Sequence, residues 1–498
     1  MSAYLELESI FRRWSALRGA GSMLGWDNAT MMPQNSGDAR GEQLAALAEV
    51  THEIITQPKL GELIANAEAD GSLDDWQKVN LREMKRNWQH ETAVPAALVT
   101  ALSKACHESE LFWRTARAEN NFRAFIPYQE KVLALVRESA AAKADAMGMT
   151  PYDALLDQYE PGATAAQLDG IFDDLAAFLP DFIAKVIAHQ REREAPAEIA
   201  GHFPATAQKA LGIGMMRRLG FDFTRGRLDE STHPFCGGVP GDIRLTTRYD
   251  EADFLSGFFG VMHETGHALY EMGLPAAWRN QPVGEARGMA FHESQSLLAE
   301  MQIGMNRDFL HYAVPLMREA FGGGGPAWDE ENIYRNVTRV NPSLIRVDAD
   351  EATYPAHIIL RYRLEKMMIA GTLTVKDLPE AWSLQMRALL GITPDSDANG
   401  CMQDIHWPDG SFGYFPTYTL GAMIAAQLMA SIRQAIPDLG SQLRKGEFAT
   451  LFEWLGAKVH AQGSRFSSPE LLQYATGQRL DVSIYKGHLE KRYLNLPS

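Results

Sequence analysis

Apolar residues recur every three to four positions through residues 5–23, 41–57, 95–113 and 128–148, with charged and amide side chains between them. That period predicts amphipathic helices, each bounded by Pro, Gly or Asn. The first 200 residues thus read as helix after helix. Residues 26–33 read as a polar-aromatic link between helices, and 152–162 as a short helix ending at Pro161-Gly162. His107 and Glu108 read as an exposed helical flank.

From residue 203 the texture changes. One more helix, 205–220, leads into a Gly- and Thr-rich segment that predicts short strands over 226–230 and 242–249. The second strand runs directly into the next helix, and its edge offers main-chain hydrogen bonds to an extended peptide. That helix covers 250–273, with Asp250 as N-cap, Glu251 and Asp253 in its first turn, and Gly273 with Pro275 as its stop. A further helix is predicted over 286–304. Gly322 to Gly325 predict a flexible joint; no GK[ST] follows them, so they are not a phosphate cradle. Helices continue to the end, interrupted by irregular residues 400–418. No repeat or long linker marks a boundary. An N-terminal helical half, 1–202, and a catalytic half, 203–498, are therefore expected to form one continuous catalytic unit, mainly α with a small β element.

Composition narrows the class. The 498 residues are 46% hydrophobic and 22% charged, ordinary for a globular chain with a large core. The formal charge of -16, with no Lys/Arg run, argues against nucleic-acid or anionic-membrane partners. The amino terminus lacks a basic segment followed by an apolar run, so no secretory signal is expected, and no apolar stretch is long enough to span a bilayer. Cys106, Cys236 and Cys401 are scattered without a CxxC, which excludes a disulfide framework and fits a reducing cytoplasm.

The chemistry concentrates in His263-Glu264-Thr265-Gly266-His267. Two histidines four apart on a helix lie on one face, one turn apart, and can grip one Zn²⁺ while the intervening Glu reaches a water on the metal. Phe254, Leu255, Phe258, Val261, Met262 and Leu269 supply the apolar part of this helix and leave both histidines on another flank. A catalytic zinc needs a third protein ligand. Glu271, one turn further along the same helix, stands in a row with the histidines and cannot close a tetrahedron. Glu285 lies near a helix start, where a carboxylate already complements the dipole. Glu293 lies inside the next helix, flanked by polar His292 and Gln295, and rigidity favours it over Glu285.

His263–His267 with His292-Glu293-Ser294-Gln295 resembles the thermostable carboxypeptidase (carboxypeptidase Taq) family of zinc metallocarboxypeptidases. Four further motifs of that family stand in the expected order. They are His233-Pro234-Phe235, Asp242-Ile243-Arg244-Leu245-Thr246, Ile345-Arg346-Val347-Asp348-Ala349-Asp350, and Gly400-Cys401-Met402-Gln403-Asp404-Ile405-His406-Trp407. Residues 26–33 and 152–162 extend the match to the front of the chain. The resemblance implies a nearly all-helical fold with a large two-walled groove, akin to neurolysin and angiotensin-converting enzyme. It implies a homodimer that removes single residues from peptide C-termini, with broad specificity excluding proline. It also assigns His263, His267 and Glu293 as ligands of one Zn²⁺ per chain, with Co²⁺ as an alternative.

Within that frame Glu264 is the general base, and His406 with Tyr418 (Tyr414 as runner-up) are oxyanion donors. A free C-terminal carboxylate calls for a guanidinium fork. Arg346 is the first choice, against a salt bridge to Asp348 or Asp350. Arg244 is the second, against an ion pair with Asp242 on the same strand face. His233 reads as a groove donor or a turn residue before Pro234. An oligopeptidase or dipeptidyl carboxypeptidase of the same fold and a catalytically silent peptide binder are the rival functions; the intact His263/Glu264/His267/Glu293 set disfavours the latter.

Overall fold

Ser2 starts the first helix, α1 (Ala3–Thr30), by accepting a hydrogen bond from the Leu5 amide. Tyr4, Leu7, Phe11 and Trp14, spaced three to four apart, bury one face of α1 against Ile54, Ile55, Leu60, Ile64, Leu81 and Met84. The predicted link at 26–33 is a correction: α1 carries Trp26 through Thr30 as helix. The computed structural model describes residues 2–231 and 233–495. The chain builds two compact units, each from three separate stretches. One comprises residues 1–91, 196–337 and 424–480; the other comprises 92–195, 338–423 and 481–498. The fold is mainly α with one small sheet, as the helical and strand patterns predict. Among the described residues no helix is long and apolar enough to cross a membrane.

In the first unit, helix α2 (Ala205–Leu219) leads into strands β1 (Gly226–Glu230), β2 (Phe235–Val239) and β3 (Asp242–Thr247), in sheet order β1-β3-β2. β1 pairs parallel and β2 antiparallel with β3. The strand leading to the next helix is therefore central, not an edge, which corrects the expectation drawn from 242–249. The free edges belong to β1 and β2. β2 escapes the alternation pattern because Gly237 and Gly238 have low strand propensity. Its hairpin with β3 turns through Pro240-Gly241, with Gly241 at φ +96°, the backbone that a tight Pro-Gly turn demands.

Helix α3 (Phe254–Gly273) is capped by Asp253, whose carboxylate accepts from the Leu255 and Ser256 amides at 3.0 and 3.4 Å. Asp250, the cap expected from sequence, instead accepts from the Ala252 amide in the preceding turn. Val261 and Ala268 of α3 pack with Leu228, Ile243 and Leu245 on one face of the sheet and with Met216 and Phe221. Residues 286–304 are not one uniform helix: α4 (Gly288–Leu297) continues as a π-helical turn, Leu298–Gly304. α3 and α4 approach closely at Gly266, where an added Cβ would lie 2.3 Å from the Gln295 carbonyl oxygen. Of the four glycines after Phe321, only Gly323 is packed; nothing lies within 4 Å of a Cβ built on the other three. Gly322 caps a helix at φ +65°, and a Cβ on Gly323 would meet the Trp328 ring at 2.3 Å.

The second unit is organised around two buried carboxylates. Glu365, on helix α5 (Tyr354–Ala370), accepts from Tyr152 Oη (2.8 Å), Trp407 Nε1 (2.8 Å) and the Gly413 amide (3.1 Å). Glu351 accepts from His488 Nε2 (2.8 Å), Arg492 Nη1 (2.7 Å) and Tyr493 Oη (2.9 Å), all on the last helix, α6 (Val482–Leu494). Burial alone would raise Glu351, but Arg492 and His488 hold it at about 2. Its folded value lies below its unfolded one, so its stabilisation is complete above pH about 4.5 and is lost as pH falls towards 2. The melting temperature of Glu351→Gln is expected to fall furthest below wild type at neutral pH, with the gap narrowing below pH about 4.5. A gap independent of pH, measured by thermal melting from pH 7 to 3, would sink this account.

Candidate active site

His263 and His267 stand one turn apart on α3, ring centroids 5.0 Å apart. α4 brings Glu293 to face them, with Oε2 3.6 Å from His267 Nε2 and Oε1 4.0 Å from His263 Nε2. One ligand atom from each of the three lies within 4.8 Å of the others. Bonds of about 2.0–2.2 Å around a tetrahedral ion put ligand atoms roughly 3.4 Å apart, so small side-chain adjustments complete the set. Glu285, the competitor for the third position, is about half exposed and faces Arg18 at 3.9 Å.

Each histidine is held from behind. His263 Nδ1 lies 2.8 Å from Glu300 Oε2, on the π-helical turn. His267 Nδ1 lies 2.7 Å from His292 Nδ1, and His292 Nε2 lies 2.9 Å from Glu271 Oε1. The protein's own charges are acid-rich here. Burial favours a neutral His263, but the Glu300 hydrogen bond and Glu293 outweigh it and raise the ring to about 10. Burial first, then His292 and His263, hold His267 well below the usual histidine range.

Glu264 is 6% exposed, and its Oε2 has no hydrogen-bond partner among the described residues. Burial pushes it up to about 7, with Glu293 and Glu300 adding to the rise and His263 opposing it. A buried carboxylate with one unpaired oxygen, beside two imidazoles and a second carboxyl group, is a donor set that suits a divalent cation.

Of the other predicted residues, Arg244 and His233 belong to the same unit. Arg244 is engaged by Asp242 through Nε (2.9 Å) and Nη2 (2.6 Å), and its guanidinium lies 4.5 Å from the Trp26 ring centroid. The ion-pair reading of Arg244 is the one the structure displays. His233 is exposed, and its carbonyl accepts from Ser231 Oγ at 2.6 Å.

Arg346, His406, Tyr414 and Tyr418 belong to the second unit. The ion partner of Arg346 is Asp404, not Asp348 or Asp350, the two partners of the competing reading. Its Nε donates to Asp404 Oδ1 (2.8 Å) and its Nη1 to Tyr354 Oη (2.8 Å), while Asp350 accepts from the Asn341, Ala352 and Thr353 amides. Arg361 Nε takes the other oxygen of Asp404 at 2.7 Å. His406 Nε2 lies 3.3 Å from Tyr418 Oη, and the Tyr414 and Tyr418 rings meet at 5.3 Å. Burial, then Arg346, pushes His406 down to about 3, so its ring is neutral at physiological pH.

The sequence reading misses four residues. Glu300 follows Glu293 by seven, a helical spacing that repeats one face, so periodicity could have found it. Glu271 and His292 are visible as polar residues but not as partners of each other, because their pairing joins two helices. Arg361 shares α5 with Arg363, Glu365 and Lys366, so nothing local singles it out.

A family profile described as carboxypeptidase Taq (M32) metallopeptidase matches residues 6–493. The chain is similar to thermostable carboxypeptidase 1 of Thermus thermophilus, 38% identical over 506 residues and 99% of each chain. It is also similar to carboxypeptidase 1 of Bacillus subtilis, 35% identical over 493 residues, 99% of this chain and 98% of that one. Among solved structures, metallocarboxypeptidase 1 of Trypanosoma cruzi superposes with a TM-score of 0.96 at 40% identity, covering 99% of both chains.

Proposed function

This chain belongs to the carboxypeptidase Taq (M32) metallopeptidase family, and from that premise we propose that it releases single amino acids from peptide C-termini at a zinc centre, with Glu264 as general base. It is a metallocarboxypeptidase; the proposal concerns how the residues share the work. One observation carries it: the His263, His267 and Glu293 ligand atoms within 4.8 Å, with the buried, unpaired Oε2 of Glu264 on the same helix as both histidines.

Zinc bound by these three residues supplies Lewis acidity, polarising the scissile carbonyl and acidifying water at the site. Glu264 takes the proton from the attacking water and passes it to the leaving amine. His406 and Tyr418, with Nε2 and Oη 3.3 Å apart, are the proposed oxyanion donors, whichever keeps its hydrogen free of their mutual bond, with Tyr414 against the Tyr418 ring as the alternative donor. Broad specificity excluding proline, a homodimer, Co²⁺ in place of Zn²⁺ and a cytoplasmic location belong to the same reading. The net charge of -16 supports peptides, not nucleic acid or anionic membrane, as partners.

Arg346 is the proposed anchor for the C-terminal carboxylate. Two guanidinium groups, Arg346 and Arg361, share the single carboxylate of Asp404, leaving one positive charge in a buried cluster where His406 is neutral. Arg244 has both arms of its fork on Asp242, and its claim is weaker. Arg346→Ala is expected to lower the ratio of free-acid to C-amidated peptide hydrolysis by about 10–100-fold, the worth of a charge-assisted hydrogen bond, with bound metal unchanged. An unchanged ratio points to another anchor.

The overall proposal is tested with an N-blocked tripeptide and product masses. Stepwise single-residue losses from the C-terminus, abolished by chelator and restored by Zn²⁺ or Co²⁺, are the expected result. Release of dipeptides, or no turnover in the zinc-loaded protein, overturns it.

A further inference from the structure

We propose that Glu271, acting through His292, selects the tautomer of His267, and that Glu300 does the same for His263; both carboxylates are positioning residues of the metal centre. The inference rests on the reading of His263, His267 and Glu293 as ligands. An imidazole binds a metal only through a nitrogen that carries no proton, and its other nitrogen then needs an acceptor for the N–H. In both histidines Nε2 is the nitrogen turned to Glu293, at 4.0 and 3.6 Å, so Nδ1 must carry the proton. For His263 the acceptor is Glu300 Oε2 at 2.8 Å.

For His267 the acceptor is another imidazole. His267 Nδ1 and His292 Nδ1 stand 2.7 Å apart, a separation that needs one proton between them. While His292 carries a single proton, two arrangements exist. If His292 Nδ1 carried that proton, His267 would hold its own on Nε2, where the metal must bind. A neutral His292 would then turn a bare Nε2 towards the Glu271 carboxylate at 2.9 Å, two acceptors face to face. If His267 Nδ1 carries it, His292 Nδ1 accepts and His292 Nε2–H donates to Glu271. Every N–H then meets an acceptor and His267 Nε2 is bare. Glu271 is the only one of the three groups that cannot donate when ionised, so it sets the direction of the whole chain.

The scaffold suits this role. Glu271 follows His267 by four on α3, so both face His292 on α4, immediately before Glu293. The relay and the third ligand thus share one turn of α4. The His292 and Glu271 side chains are only 17% and 26% exposed, which limits competition from water. Glu300 comes from the π-helical turn, an irregularity that recurs at functional sites.

The test uses the full-length protein stripped of metal and titrated with Zn²⁺ and Co²⁺ against a chromophoric chelator. Glu271→Ala, His292→Ala and Glu300→Ala are expected to weaken metal binding by about 10–100-fold, the usual cost of losing such a partner. Glu271→Gln and Glu300→Gln keep an acceptor oxygen and are expected to recover most of that loss. Affinity within twofold of wild type in the alanine variants overturns the proposal, as does a glutamine variant no better than alanine. Should an alanine variant fail to fold, ring ¹⁵N spectra of histidine-labelled, zinc-loaded wild type decide. A proton on His292 Nε2 is expected, and one on Nδ1 overturns the proposal. Failure of the underlying reading looks different: His263→Ala and Glu293→Ala would then bind metal like wild type.

Discussion

Glu264→Gln is expected to retain one equivalent of metal per chain and to lose about 10²–10⁴-fold in kcat, the range that a positioned general base contributes. The amide keeps the size of the side chain but cannot accept a proton. Its surroundings differ from those of the three proposed ligands. His263, His267 and Glu293 present atoms within 4.8 Å of one another, whereas Glu264 is buried beside them with Oε2 unpaired. Burial and the neighbouring Glu293 and Glu300 carboxylates hold it at about 7, near the value that balances proton uptake against release at neutral pH. The sign follows directly. A carboxyl group raised to about 7 loses its basic form as pH falls through that value, so wild-type turnover declines on the acid side. A bound cation moves that limb to lower pH by favouring the carboxylate. The limb should be missing from the residual activity of the variant. Metal analysis alongside a pH–rate profile checks both parts; residual activity within tenfold of wild type would rule out Glu264 as the base.

Gly266→Ala should produce a second large effect without touching any group that does chemistry. The added methyl would lie 2.3 Å from the Gln295 carbonyl oxygen and 2.7 Å from the Ser296 Cα. Both are backbone atoms, and no side-chain rotation relieves them. α4 must then move away from α3, at a cost of about 1–3 kcal/mol for forced overpacking. It would carry His292 and Glu293 with it. Metal sites tolerate departures of only about 0.2 Å from ideal bond lengths, so a weakening of zinc affinity by at least about tenfold is expected, with a lower melting temperature. Gly260 on the same helix is the control. Nothing lies within 4 Å of its hypothetical Cβ, and alanine there should be neutral or stabilising by up to about 1 kcal/mol through helix propensity. Wild-type zinc affinity in Gly266→Ala would show that the close approach is not what sets the ligand spacing.

The pair of substitutions shows which parts of this protein can be read from the chain alone. Spacing within one helix is legible, so His263 and His267 stand out, and the rigidity of the next helix singles out Glu293. Cooperation between elements is not. The role of Gly266 depends on the backbone of α4, 29 residues downstream at Gln295. Arg346 pairs with Asp404, 58 residues away, while two nearer aspartates offer themselves in sequence and do not take part. Caps and strands fail for local reasons. Asp250 and Asp253 are equally plausible N-caps until the turn between them is known, and β2 hides behind two glycines that serve its hairpin. The alternation of the chain between two units leaves no compositional trace, because no linker accompanies the crossings.

That alternation governs how the protein is made. The unit holding His263, His267 and Glu293 comprises residues 1–91 and 196–337, but also 424–480. The last stretch touches both helices that carry the proposed ligands: His460 Nε2 meets the Gln295 side chain at 2.9 Å, and the His460 ring packs where a Cβ on Gly273 would lie 2.7 Å away. A ribosome releases the chain from its amino end, so α3 and α4 emerge long before the segment that buttresses them. For the time needed to translate more than a hundred further residues, the apolar faces of both helices wait unfinished. A nascent chain that has not reached residue 424 therefore lacks part of the unit that carries α3 and α4.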